Sequence, residues 1–239
     1  MVAPGEPAEF GQEIIQRRHR LATALADFSG RNILDFGCGN GAQTVAFVEP
    51  GCRITAVDVS ASRIAEFQSY LAANGITGVN ALHYGGGTLP FSAGEFDLVM
   101  SYDVLEHVPD EGAALAELLR VLRPGGELLI SVPNKWWLFE THGANLPLLP
   151  WNRVPFFSWL PAPLHRRWAR ARIYTRRRIT RLLERHGLAI GARRYITAPL
   201  DVLGNGLLKR LLQGLIFRGD TTHLPFLATA ILIHGRKPE

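Results

Sequence analysis

The sequence predicts a doubly wound α/β fold on two observations. Short apolar strands alternate with helix-length segments from about residue 31 onward. A glycine turn, Gly37-Cys38-Gly39-Asn40-Gly41, joins the first strand to the segment that follows it. Repeated βα units of this length require parallel strands joined by right-handed crossovers. Apolar residues from Phe10 to Phe28 recur at helical spacing and predict a lead-in helix over about Glu9 to Phe28. Ile33–Phe36 reads as a buried strand with a helix over Ala42–Val48 behind it, and Arg53–Val57 as the second strand. A helix over about Ser62–Ala73 ends at Asn74-Gly75. Strands follow at Val79–Tyr84 and Phe96–Ser101, then a helix at Gly112–Leu122 closed by Arg-Pro-Gly-Gly, then a strand at Glu127–Val132.

The rhythm breaks after Pro133. Residues 135–172 hold all five tryptophans, together with Phe139, Phe156, Phe157, His142, His165 and several prolines. So long a segment without α/β period, inside a compact domain, predicts a functional loop or lid. The alternation resumes with a helix capped by Thr175 and running to His186, a strand at Leu188–Ile196, a helix over about Leu200–Phe217 and a last strand near Ala228–His234. The 239 residues suit one domain. Within it we expect a cofactor-binding part at 31–134, an acceptor-binding insertion at 135–172 and a completion of the sheet at 173–239.

Cys38 and Cys52 are the only cysteines, with no CxxC or Cys/His cluster, which argues against a disulfide framework or a structural zinc site. No secretory signal is read at the N-terminus, and no apolar run reaches the roughly 18 to 20 residues of a spanning helix. A cytoplasmic chain is expected. The net charge of +5 is divided along the chain: residues 1–134 carry 8 Lys and Arg against 16 Asp and Glu, residues 135–239 carry 18 against 5. Eleven arginines between Arg166 and Arg194 face one acid, Glu184. Such a region either attracts nucleic acid, an anionic membrane or a phosphorylated substrate, or forms a solvated face. DNA is not expected as a partner.

The turn after the first strand is a nucleoside-cofactor socket. Glycine permits positive φ and close approach of the backbone, and the following helix start presents unpaired N–H groups. Gly37, Gly39 and Ala42 satisfy the dinucleotide pattern G-x-G-x-x-G/A, and Asp58 stands about 20 residues on, where ribose hydroxyls are held. NAD therefore fits the motif alone. The extra glycine at Gly41 and the carboxylate of Asp35 beside the turn favour a cationic, amino-acid-bearing ligand, since a carboxylate repels a pyrophosphate.

The segments ILDFGCGNG, ITAVDVS, LPFSAGEFDLVMSYDVLEHVPD and LRPGGELLISVPN, in this order over residues 31–134, resemble the successive motifs of class I S-adenosylmethionine-dependent methyltransferases, in particular the type 11 group that includes the ubiquinone-biosynthesis enzymes. YTRRRITRLLERHGLAI at 174–190 adds weaker support. The resemblance implies a Rossmann-like sheet, mostly parallel with a final antiparallel strand. It implies S-adenosylmethionine as methyl donor and S-adenosylhomocysteine as product. It places Asp35, Gly37, Cys38 and Gly39 at the methionine moiety and Asp58 at the ribose. Val59 and Leu89 would meet the adenine, and Ser101 and Tyr102 the sulfonium. Where the family usually carries an acid for the adenine amino group, this chain has Tyr84-Gly85-Gly86-Gly87-Thr88, so that contact passes to backbone groups or to Thr88.

Transfer from a sulfonium needs alignment of the acceptor, exclusion of water and, for a hydroxyl, a base. His107 and His142 are the candidate bases, with Glu106 and Glu140 beside them; alternatively Glu106 and His107 cap and pack the next helix. Asp103, Glu106 and His107 also resemble a divalent-cation cluster, but no metal is predicted. The aromatic insert and the arginines suit a lipid-like, isoprenoid or aromatic small-molecule acceptor, methylated at oxygen or carbon. Leu207, Leu208, Leu211, Leu212, Leu215 and Ile216 form a stripe that suits either a peripheral contact with anionic membrane or packing on the core. RNA or protein methylation, and a cofactor-binding regulator without turnover, are the alternatives.

Overall fold

The computed structural model describes residues 12–139, 144–145, 150–151, 155–200 and 206–239. The elements in chain order are α1 (Gln12–Thr23), β1 (Asn32–Phe36), β2 (Arg53–Asp58), α2 (Ala61–Ala73), β3 (Val79–His83), β4 (Phe96–Tyr102), α3 (Glu111–Val121) and β5 (Leu122–Pro133). They continue with β6 (Ala144–Asn145), β7 (Pro150–Trp151), α4 (Ala162–Trp168), α5 (Arg176–Arg185), β8 (Ala189–Thr197), α6 (Leu207–Leu215), β9 (Thr221–Thr222) and β10 (Ala228–Arg236). Eight strands form one sheet in the order β3-β2-β1-β4-β5-β10-β8-β9, and β6 and β7 make a separate two-stranded pair. β3, β2, β1, β4 and β5 are mutually parallel, whereas β10 runs antiparallel to both β5 and β8. The Rossmann-like class with an antiparallel last strand is therefore observed. β9 is an additional edge strand that two residues are too few to announce in sequence.

Both faces of the central strands are buried. Along β1 and β4, Ile33, Leu98 and Met100 enter one apolar cluster, while Leu34 and Val99 enter the other. Burial on both faces explains why these strands read as continuous apolar runs. Helix ends follow local chemistry. The Ser60 hydroxyl accepts the Arg63 N–H at the start of α2, Thr175 does the same for Arg178 at α5, and Asp110 Oδ1 accepts the N–H groups of Gly112 and Ala113 at α3. Gly75 and Gly187, both at positive φ, lie just past α2 and α5.

Four segments depart from expectation. In place of a helix over Ala42–Val48 there is one 3₁₀ turn, Thr44–Phe47. Its span between Gly41, at positive φ, and Pro50 is too short to propagate an α-helix. The lead-in helix stops at Thr23, short of Phe28, while Glu9–Gly11 lie outside the described residues. Arg-Pro-Gly-Gly does not separate α3 from the strand but forms an irregularity inside β5, where pairing shifts between Phe96 and Leu98. The described part of residues 135–172 carries the β6–β7 pair, α4 and a 3₁₀ turn at Phe157–Trp159. Trp136 and Trp159 are exposed, while Trp137 packs with Ala198 and Leu200. α6 presents Leu207, Leu208, Leu211, Leu215 and Ile216 to solvent and seats Leu212 against the Trp137 cluster.

Candidate active site

The parallel strands stop at one edge of the sheet, and β1 and β4 lie side by side there with their following segments diverging. A crevice at this point is expected of an open α/β sheet. Two cavities occupy it, one on each side of Gly37. The larger, about 650 Å³, is walled by Phe36, Val57, Val59, Tyr84, Val104 and Val108, with Asp58, Gly86, Gly87, Thr88 and His107 at its polar parts. The smaller, about 330 Å³, is bounded by Asp35, Gly37, Cys38, Gly39 and Tyr102 and covered by Ile14, Ile15 and Arg18 of α1.

Gly37, Gly39 and Gly41 all have positive φ, at 81°, 58° and 80°. The closest approaches at two of them come from the protein itself. A Cβ on Gly37 would lie 2.3 Å from Val104 Cγ2, and one on Gly41 would lie 2.1 Å from the Phe67 ring. These two glycines fasten the turn to the loop after β4 and to α2, and in doing so set the width of the crevice.

The smaller cavity has charges of both signs. Asp35 is buried, and its Oδ2 accepts the Thr44 hydroxyl at 2.6 Å. Burial, only partly countered by that hydrogen bond, pushes its carboxyl up to about 7. Arg18 pairs with Asp103 Oδ2 at 2.5 Å and stands over the Tyr102 ring at 5.9 Å. Its Nε and the Tyr102 hydroxyl are buried and have no hydrogen-bond partner among the described residues. Arg63 Nη1 reaches Gly39, within 3.4 Å of the Cβ that residue lacks. A buried acid, two guanidiniums and two unspent donors match an amino acid with its ammonium and carboxylate both charged, which is the methionine end of S-adenosylmethionine. The larger cavity, apolar with a carboxylate at its rim, fits the adenosine end.

Asp58 is used by the protein itself. Its Oδ2 accepts the Gly39 N–H and its Oδ1 the Ser60 N–H, each at 2.8 Å. It thereby ties the glycine turn to the start of α2, while its remaining lone pairs stay at the cavity rim. The loop after β3 is clasped by the Tyr84 hydroxyl, which donates to the Gly87 carbonyl at 2.5 Å.

Asp35, Gly37, Cys38, Gly39 and Tyr102 line the smaller cavity and Asp58, Val59, Thr88 and His107 the larger. Two expected cofactor contacts are not brought in. Leu89 is a core residue, its N–H bonded to Glu117 and its carbonyl to Arg120. Ser101 is buried in β4 and lines neither cavity. The reason is the strand alternation: Tyr102, one residue on, takes the crevice-facing position. Burial pushes the Cys38 thiol far up, which makes it an inert wall. The cap of α3 is Asp110, so His107 is released from the capping role. Asp103, with its positive φ of 57°, is held by Arg18. Among the described residues no three His, Cys, Asp or Glu side chains are grouped to hold a metal ion. His142, Glu140 and the rest of Glu140–Gly143 lie outside the described residues. Arg18 was not legible as a site residue, since the contact that gives it meaning joins positions 18 and 103.

Comparison with known proteins agrees with this geometry. A family model described as a methyltransferase domain matches residues 34–130. The ubiquinone biosynthesis O-methyltransferase of Thiobacillus denitrificans is 32% identical over 164 residues, covering 64% of this chain and 69% of that protein. That of Methylococcus capsulatus is 29% identical over 158 residues, covering 64% and 67%, and that of Aromatoleum aromaticum 34% over 131 residues, covering 52% and 56%. The chain thus spans between about half and two thirds of the length of these relatives. Among solved structures, an S-adenosylmethionine-dependent methyltransferase from Aquifex aeolicus superposes with a TM-score of 0.60 at 14% identity, covering 92% of this chain and 88% of that one. The cyclase SpnF superposes with a TM-score of 0.67 at 18% identity, covering 95% and 82%, so the architecture by itself does not name the reaction. The matching domain, the relatives and the paired cavities agree: the chain belongs to the class I S-adenosylmethionine-dependent methyltransferases.

Proposed function

We propose that the chain transfers a methyl group from S-adenosylmethionine to a small-molecule acceptor, lipid-like, isoprenoid or aromatic, at an oxygen or carbon atom. The observation that carries this reading is the divided crevice, zwitterion-complementary on one side of Gly37 and apolar with a carboxylate rim on the other. When bound, the cofactor supplies an already activated methyl group. The protein's own task is then to bind, orient and exclude water. Asp35 holds the ammonium, Arg18 and Arg63 the carboxylate, Asp58 the ribose hydroxyls, and Val59 with the Gly86–Thr88 loop the adenine. His107, on the wall of the larger cavity, takes the proton from a hydroxyl acceptor. The relatives that act in ubiquinone biosynthesis as O-methyltransferases favour oxygen.

The exposed leucines of α6, with the exposed Arg210 beside them, support a peripheral contact with anionic lipid in the same reading. No helix among the described residues is long and apolar enough to cross a membrane.

Calorimetric titration with S-adenosylhomocysteine and, separately, NAD tests the cofactor. Binding of the first and not the second is expected, and the reverse would overturn the reading. His107→Ala should lose turnover on a hydroxyl acceptor while keeping cofactor affinity; full activity would remove the base assignment. Absence of flotation with anionic vesicles would remove the membrane contact.

A further inference from the structure

A third cavity, of about 310 Å³, lies between α4, the start of α5 and Lys135, two residues past β5. Among the described residues its lining carries three cations, Lys135, Arg172 and Arg178, and no carboxylate; His165, buried, and Thr175 complete its polar wall. Each cation is held from behind. Lys135 Nζ donates to the Leu160 carbonyl at 3.2 Å. Arg172 donates to the carbonyls of Val108 and Pro109, the latter at 2.7 Å. Arg178 pairs with Glu111 Oε1 at 2.5 Å and lies 4.4 Å from the Tyr174 ring centre. Among the described residues the acids nearby are Glu111, behind the two arginines, Asp110, whose carboxyl is lowered first by its cap hydrogen bonds and further by Arg172, and the buried Glu106, whose carbonyl accepts the Arg172 N–H. Three preoriented cations around an open space repel one another, and an oxyanion among them reverses that repulsion.

We infer that this cavity is a subsite for a phosphate-type oxyanion. Arg172 sets its place. The carbonyls it grips belong to Val108 and Pro109, which on their other side line the larger cofactor cavity. The anion therefore sits one loop away from the cofactor, on the side of the insertion. The cavity exceeds what a phosphate fills, so the group that carries the phosphate fits beside it. The phosphate belongs either to the methyl acceptor, in which case the inference deepens the small-molecule reading and rests on it, or to the free ion. It separates the eleven arginines into those with a built task, Arg172 and Arg178, and those on the surface, such as Arg185.

Titration of the full chain at fixed ionic strength with inorganic phosphate and with phenyl phosphate tests it. Binding is expected, weakened about tenfold by Lys135→Met, retained in Lys135→Arg and unaffected by Arg185→Gln. Phenyl phosphate binding at least about tenfold tighter than inorganic phosphate assigns the anion to an acceptor, and equal affinities assign it to the free ion. No binding of either probe at about 20 mM, or binding as sensitive to Arg185→Gln as to Lys135→Met, would overturn the subsite. S-adenosylhomocysteine titrated into the same samples reports the cofactor site separately, so loss of that reading and loss of the anion subsite are told apart.

Discussion

The two ends of the parallel strands treat their charges in opposite ways. Where β1, β4 and β5 begin, acids and bases are matched. Glu127 meets Arg31 at 2.5 Å and Arg236 at 2.9 Å. Burial alone would raise its carboxyl, but the two guanidiniums hold it below the ordinary range. Asp97 accepts the Asn32 N–H and pairs with Arg123, and Lys237 Nζ donates to the Leu119 and Leu122 carbonyls. Where the same strands stop, Asp35 is buried with a neutral partner, the Tyr102 hydroxyl lacks one among the described residues, and Asp103 carries a strained backbone. One end holds the sheet together; the other leaves its interactions incomplete until a ligand supplies them.

Substitutions at the two ends should accordingly separate stability from binding. The largest effect is expected at Gly37. Gly37→Ala meets both a positive φ and Val104, and should cost about 3 kcal/mol of unfolding free energy together with loss of S-adenosylhomocysteine binding. Adding Val104→Ala should restore part of the stability, and strict additivity in urea melts would refute the packing account. At the closed end, Glu127→Gln should cost about 2 kcal/mol of stability, with the affinity for S-adenosylhomocysteine unchanged. A matched loss of affinity would erase the contrast between the ends.

The next test uses pH. Because an ammonium favours ionised Asp35, whose carboxyl lies at about 7 in the free protein, affinity should fall by about 1.4 kcal/mol per pH unit below 7 and level off above it. Asp35→Asn should bind weakly and without this dependence. In the free protein the sign is opposite. A carboxyl raised from 3.8 to about 7 withdraws stability as pH rises through that interval, and Asp35→Asn should flatten the decline. A pH-independent affinity in the parent chain would show that Asp35 does not meet the ammonium. The smallest effect is a gain. Gly85 is not at positive φ and has open space around a Cβ, so Gly85→Asp should tighten S-adenosylhomocysteine binding by about 1 kcal/mol through the adenine amino group.

What could be read from the sequence follows from range. The strands, the cap at Thr175 and the glycine turn are local, and the residues within each element announce them. The zwitterion half of the crevice was legible only in Asp35 and the turn, since Arg18 gains its role through Asp103 and Tyr102, more than 80 positions away. Of the adjacent pair Ser101 and Tyr102 the sequence does not say which faces the crevice, because alternation gives two faces, and Leu89 is turned into the core by backbone bonds to Glu117 and Arg120 that lie about 30 positions away. The arginine run looked uniform in sequence, and the fold alone divides it, binding Arg172 and Arg178 to Glu111 and Arg176 over the Tyr195 ring.

α1 covers the methionine side of the crevice, yet its anchors lie near the other end of the chain. Arg17 donates to the Thr197 and Gly219 carbonyls, Arg20 pairs with Asp220, and Gln213 donates to Glu13. On a ribosome this helix emerges nearly 200 residues before the groups that hold it. The strands that form the socket floor are complete long before its cover can dock, so the order of synthesis makes this protein acquire its cofactor site last.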